Sequence, residues 1–432
     1  DARRLTLPRH DLPTDTKRST VMNLTQQRWR LLTVSCVINL FAGSIYAWSV
    51  FGSALAARLT DLTGAAVTGA DLALAFGLAN GLGPVPMIFG GAVNDRFGPR
   101  FVIVAGGILM GLGLFLTGTA ESATGVILSY GLFFGLGLGL VYGCTINNTM
   151  KFFPDRRGLV GGLTTAAYGI SSVLVPPVAS YLIAEAGVSS ALQIFGVLFG
   201  VVIVTGGLLS MRCPPGFAPE GWTPPAGRAA TGAERNWRAM LASSEFPPMI
   251  LLLMCGAIAA MMVIAHVFSI ARDQMAWSAA EASAAVSVIA LANTFGRIFA
   301  GTLSDRLGRL PALSLGLSLS LLGLAALALS GPESRALFYV GLAAVGISFG
   351  SFMGVFPGYT AEVFGSRNNS VNFGIMFAGF SVAGIAGPAL MGTMRAAGFG
   401  YPLCYLAGGL ISAAGFLCIL RLYGLRRKPA LA

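Results

Sequence analysis

The chain alternates long apolar runs with short polar turns. Runs of about 20 apolar residues are what an α-helix needs to cross about 30 Å of hydrocarbon. Such runs lie near 31–57, 72–94, 101–120, 125–149, 159–184 and 191–211, and again near 249–271, 281–302, 311–331, 336–359, 371–394 and 401–421. The short alternating segments of a membrane β-barrel do not occur. The pattern predicts an all-α membrane protein of twelve transmembrane helices. Its parts are an N-terminal tail (1–30), a six-helix bundle (31–212), a linker (213–247) rich in Pro, Gly and Ala, a second six-helix bundle (248–424) and a C-terminal tail (425–432).

The two sets of six repeat one another. Gly91-Ala92-Val93-Asn94-Asp95-Arg96-Phe97-Gly98-Pro99-Arg100 follows the second span, and Gly301-Thr302-Leu303-Ser304-Asp305-Arg306-Leu307-Gly308-Arg309 follows the eighth. Asp95 and Asp305 are 210 positions apart. Phe153 and Arg156 after span 4 recur as Phe364 and Arg367 after span 10, at an offset of 211. Parallel halves of this kind mark a duplicated transporter with two pseudo-symmetric bundles.

Composition and charge fix the setting. Hydrophobic residues make up 55% of the chain and charged residues 10%, with mean hydropathy +0.75, far from a soluble balance. The net charge is +11. If both termini are cytoplasmic, the inner segments collect most of the arginines, and the outer loops keep only Arg58, Arg272, Arg335 and Arg395. This is the positive-inside asymmetry, so the charge sets topology and implies no nucleic-acid partner. The expected location is the inner (plasma) membrane, and the expected state is a monomer. The polar, basic N-terminal tail has no apolar core before a cleavage site and predicts no removable signal peptide. The six cysteines lack metal-ligand spacing, so neither a metal site, a cofactor nor a disulfide framework is expected.

Within the spans two ionisable side chains of consequence remain, His266 and Arg297. An Arg at a helix centre costs roughly 2.5–3.5 kcal/mol on insertion scales and persists where it has something to bind. No span carries a carboxylate at that depth to neutralise it, which points to an anion from outside the protein. Arg297 precedes Asp305 by eight residues, about 12 Å of helix and near mid-depth. The equivalent first-half residue is Met87, so the charge is not part of the repeated scaffold. A guanidinium offers a planar fork that matches a carboxylate; hydrogen bonding to helix carbonyls is the structural alternative. Asn293, four residues earlier, shares its face and could orient it or meet the anion. His266 could accept a proton or sit neutral between helices.

The G-x-x-x-D-R-x-G-x-R pattern at Gly91–Arg100, with its second copy at Gly301–Arg309, resembles the major facilitator superfamily. That resemblance assigns Gly91, Asp95, Arg96, Gly98, Arg100, Gly301, Asp305, Arg306, Gly308 and Arg309 to gating, with the aspartates meeting a helix N-terminus or an Arg across the halves. Gly43–Ser49 in span 1, the run Lys151-Phe152-Phe153-Pro154-Asp155-Arg156-Arg157-Gly158-Leu159, and Asn293 with Arg297 look like the oxalate:formate antiporter family, relatives of the monocarboxylate transporters. Asp155, Arg156 and Arg157 join the gate on this reading. The resemblance implies that Tyr46, Trp48, Tyr142 and Tyr168 enclose a small carboxylate. Two positions depart from the family: Phe380 stands where an oxalate-specific lysine is expected in span 11, and Ile45 where a glutamine precedes the span 1 tyrosine. One fixed cation facing an apolar wall suits a monocarboxylate.

An ATP-driven pump is excluded because no lysine closes a phosphate-binding loop. No nucleophile pair, carboxylate dyad or metal cluster at depth suggests an enzyme. The sequence therefore predicts a secondary carrier of a small organic monocarboxylate such as lactate, pyruvate or formate, working by alternating access with Arg297 on the carboxylate. Exchange of dicarboxylate for monocarboxylate, proton-coupled symport through His266, and a non-transporting anion sensor are the alternatives.

Overall fold

The computed structural model describes residues 14–69, 71–223 and 234–427. Arg3, Arg4, Arg9, Arg228 and Lys428, with the first 13 residues of the N-terminal tail, the middle of the linker and the end of the C-terminal tail, lie outside the described residues. Among the described residues there is no sheet.

Span 1 comprises α1 (Thr14–Ala42), a 3-10 segment (Gly43–Ala47) and α2 (Trp48–Thr63). Span 2 is α3 (Ala73–Gly81) and α4 (Pro84–Phe97), and span 3 is α5 (Pro99–Thr119). Span 4 joins α6 (Ala123–Val126) through a π-helical segment (Ile127–Phe134) to α7 (Gly135–Lys151). The next helix, α8 (Arg157–Leu209), has 53 residues. That is about 80 Å of helix, more than twice a hydrocarbon core. Gly187 breaks it at φ 77°, ψ 161°, a conformation open to glycine, so α8 is spans 5 and 6. A linker helix, α9 (Trp237–Leu241), precedes span 7, made of α10 (Phe246–Ile264) and α11 (Val267–Asp273). Spans 8 to 12 are α12 (Ala279–Leu307), α13 (Arg309–Leu329), α14 (Arg335–Phe364), α15 (Asn369–Ala396) and α16 (Tyr401–Arg427). Eleven helical stretches among the described residues are long and apolar enough to cross a membrane, and the one broken at Gly187 counts twice.

Three spans expected as single helices are interrupted. Pro84 lacks the N–H that would continue span 2, and the chain turns at Leu82 and Gly83. In span 7 the His266 N–H bonds the Val263 carbonyl (3.0 Å), which frees the Met262 carbonyl. The His266 ring takes it, with Nδ1 at 3.1 Å. Span 1 is interrupted by its 3-10 segment, Gly43–Ala47.

In the first half, α8 packs on α1 and α5, and α7 on α4 and α5; in the second, α14 packs on α12 and α13, and α10 on α15 and α16. Two seams join the halves, α8 against α12 and α4 against α15. One apolar core lies within the first half around Phe51, Phe134, Phe195 and Phe199. The other fills the second half and continues across the seam onto Met87, Tyr142, Ile146 and Met150.

The repeated motif builds two one-residue turns. Gly98 (φ 96°, ψ 175°) joins α4 to α5, and Gly308 (φ 95°, ψ 164°) joins α12 to α13. This region is essentially restricted to glycine. Gly158 and Gly301 face one another across the α8–α12 seam so closely that a Cβ on either would strike the other's carbonyl.

Candidate substrate cavity

The aspartate of each motif copy reaches across to the first turn of a helix in the other half. Asp305 accepts from the N–H groups of Gly158 and Leu159, both at 2.8 Å. These are unpaired donors of the α8 N-terminus, where a negative charge also meets the positive end of the helix dipole. Arg309 supports Asp305 at 2.9 Å and also bonds Glu362 at 3.1 Å. Asp95 accepts from Ser370 in the first turn of α15 and from Lys151, each at 2.7 Å. Asn94 bonds Ser370 at 2.8 Å, and Asn369 bonds Asn147 at 2.5 Å. These contacts close the face that carries both motif turns.

Among the described residues the basic members of the predicted gate, Arg309 apart, make no hydrogen bond to these aspartates. Arg96, Arg100 and Arg306 are exposed, and Arg96 rests on the Phe97 ring of its own half. Asp155 is held within the first half by a two-pronged contact from Arg28, at 2.7 and 3.1 Å. Arg156 is exposed beside Asp155 and Trp29, whereas Arg157 lies within electrostatic reach of Asp305 and Glu362 of the second half and of Glu234 in the linker. A short carboxylate can enter a helix end; a guanidinium on a long stem reaches water more cheaply. Cross-half sealing therefore falls to the two aspartates together with the Asn94–Ser370 and Asn147–Asn369 bonds.

Above this floor a cavity of about 820 Å³ lies between the halves. It extends toward the opposite face, where Asn80, Ser283, Val286 and Ser287 line it and are exposed. Tyr46, Tyr142, Tyr168, Asn293, Arg297 and Phe380 all line it, although they come from five spans. Arg297 is 2% exposed. Its Nε donates to Asn293 Oδ1 at 3.1 Å and one terminal nitrogen donates to the Thr165 carbonyl of α8 at 2.9 Å. Both readings of this residue thus meet in one place: it bonds a helix carbonyl and it faces the cavity. The Tyr142 side chain lies beside the guanidinium. Tyr168 packs edge-on to Tyr46, with centroids 5.6 Å apart, and at 4.7 Å from Tyr142.

Two expected residues fall elsewhere. Trp48 is not among the lining residues; its ring packs against Tyr130 at 4.4 Å and Phe76 at 6.4 Å. Residues two apart on a helix point about 200° apart around its axis, so Trp48 faces away from the side that carries Tyr46. His266 does not line the cavity either, although the neighbouring Ala265 does. It sits at the break in span 7 on the Met262 carbonyl.

Phe349, Met353 and Phe377 also form the wall and were not anticipated. Phe377 precedes Phe380 by three residues and so shares its helix face, a signal the sequence did carry. Among the described residues, no Asp, Glu, Lys or His lines the cavity, and no group of His, Cys, Asp and Glu could hold a metal ion.

The profile of the Major Facilitator Superfamily matches residues 37–388 and 252–432. The chain belongs to this superfamily. It is therefore a multi-pass membrane transporter and not an enzyme. It is 32% identical over 372 residues to the uncharacterized MFS-type transporter YhjX of Escherichia coli (strain K12), covering 85% of this chain and 88% of that one. It is 25% identical over 390 residues to the oxalate:formate antiporter of Oxalobacter formigenes, covering 90% of each. The solved structure of the proton:xylose symporter XylE superposes with a TM-score of 0.67 at 16% identity, covering 92% of this chain and 96% of that one. That likeness shows the fold.

Proposed function

We propose that this protein carries a small organic monocarboxylate by alternating access, with Arg297 as the carboxylate ligand. The observation that carries the reading is a buried guanidinium on a cavity with no acidic side chain in its lining. Asn293 and the Thr165 carbonyl fix its plane, and a fixed fork spends little entropy on binding. Tyr46, Tyr142 and Tyr168 supply an amphipathic wall with hydroxyls for the remaining oxygen lone pairs. The similarity to the oxalate:formate antiporter supports an organic anion. Phe380 on the cavity wall, in place of a second cation, favours a monoanion over a dianion.

With the motif face cytoplasmic, as the charge asymmetry suggests, the closed floor and exposed upper lining correspond to an outward-facing state in the inner membrane. The two aspartate latches would release as substrate draws the outer halves of the spans together. Exchange of one monoanion for another is the preferred mode, because His266 stands off the cavity and no carboxylate there can carry a proton. Proteoliposomes test this. Labelled lactate or pyruvate should accumulate by counterflow only in vesicles preloaded with a monocarboxylate. Accumulation into empty vesicles under a pH gradient would establish symport instead, and saturable binding without flux would establish a sensor.

A further inference from the structure

We infer that the second-half wall of the cavity is an apolar tail subsite, and that the preferred substrate is a monocarboxylate bearing a branched aliphatic or aromatic group rather than formate or oxalate. The inference rests on Arg297 as the carboxylate ligand and adds the nature of the remainder of the molecule. Cavities of roughly 300–1,000 Å³ take ligands of drug size, and this one, at about 820 Å³, stands in the upper part of that range. In this open state that volume is an upper bound on what the closed site encloses, and it is the wall that selects the substituent.

The rings also have an order. The Arg297 guanidinium carbon is 6.0 Å from the centroid of Phe349. Phe349 is 6.1 Å from Phe380, Phe380 is 4.7 Å from Phe377, and Phe377 is 5.5 Å from Tyr142. An aromatic wall thus begins beside the cation and runs along spans 10 and 11. The two halves divide the work: at corresponding depths the first offers Met87 and the Tyr142 and Tyr168 phenols, while the second offers Arg297, Met353 and Phe380. A carboxylate on the Arg297 fork, with its oxygens toward the phenols, has its substituent against the phenylalanines. No charge in the lining meets a second carboxylate, and burying one unpaired would be costly.

Binding can be read without knowing the transported anion. Purified protein in detergent is titrated with formate, acetate, propionate, 4-methylpentanoate, phenylacetate and oxalate, and apparent affinity is taken from thermal stabilisation. The expected series tightens by roughly fourfold per buried methylene, with 4-methylpentanoate and phenylacetate tightest and oxalate weakest. In Phe380→Ala and in Phe377→Ala the ratio of 4-methylpentanoate to acetate affinity should fall toward one. A flat or reversed series among anions that do bind overturns the tail subsite while leaving the Arg297 reading intact. Failure of every monocarboxylate to bind overturns both. An undiminished ratio in both alanine variants, each eluting as a monodisperse peak, places the tail elsewhere and also overturns the inference.

Discussion

Replacing Arg297 by lysine separates charge from geometry. In the parent, Nε and one terminal nitrogen are committed to Asn293 and the Thr165 carbonyl, which sets the plane presented to the cavity. Lysine keeps the positive charge but has one nitrogen on a flexible stem, so it cannot hold both neighbours and meet two carboxylate oxygens. At least one charge-assisted hydrogen bond to substrate is lost, worth about 1.5–3 kcal/mol, or a 13- to 160-fold weaker apparent affinity. The residue is buried against Gly169 of span 5, and lysine, slimmer at its tip, fits without a clash. Fold and insertion should survive. Counterflow in proteoliposomes, measured over a range of substrate concentrations, gives the affinity; circular dichroism and size exclusion check the fold. A lysine variant with near-parent affinity and rate would refute planar recognition of a carboxylate by Arg297.

Phe380→Lys places a second cation on the wall that now holds the ring. It should move preference from lactate toward oxalate in competition assays, and an unchanged ratio in a stable variant would remove position 380 from the recognition surface. His266→Gln keeps a hydrogen-bond donor for the Met262 carbonyl and removes the imidazole that could carry a proton. Counterflow should persist, and loss of pH-driven accumulation with counterflow retained would make His266 the proton carrier and exchange the wrong mode. Asp305→Asn removes the charge from the α8 N-terminus, an interaction worth about 1–2 kcal/mol in a partly buried setting. Hydrogen exchange at the Gly158 and Leu159 amides should accelerate about 5- to 30-fold; unchanged protection would mean that the helix end, and not the carboxylate, keeps the halves together there.

Helix number, helix type and the duplication were legible in the chain, because a span must satisfy its own backbone in lipid and therefore announces itself by length and apolarity. Arg297 was legible for a related reason: a charge at that depth is costly enough to need a purpose, and its absence from the equivalent position, Met87, marked it as an addition to the scaffold. Asp95 and Asp305 were recognisable from the repeat, but their partners were not. Ser370 and the Gly158 and Leu159 amides lie 275, 147 and 146 positions away, and ordinary backbone donors carry no sequence signal. The broken spans 1 and 7 escaped for a similar reason, since hydropathy reports burial and not whether a carbonyl finds its fourth neighbour. Helix periodicity already sets Tyr46 and Trp48 on opposite sides of span 1; tertiary structure decided that the Tyr46 side meets the cavity. It also placed His266 off the cavity and assembled Phe349, Phe377 and Phe380 into one wall. These are matters of rotation about helix axes by a few tens of degrees, and in a chain that is apolar on every face the sequence pattern leaves that rotation unspecified.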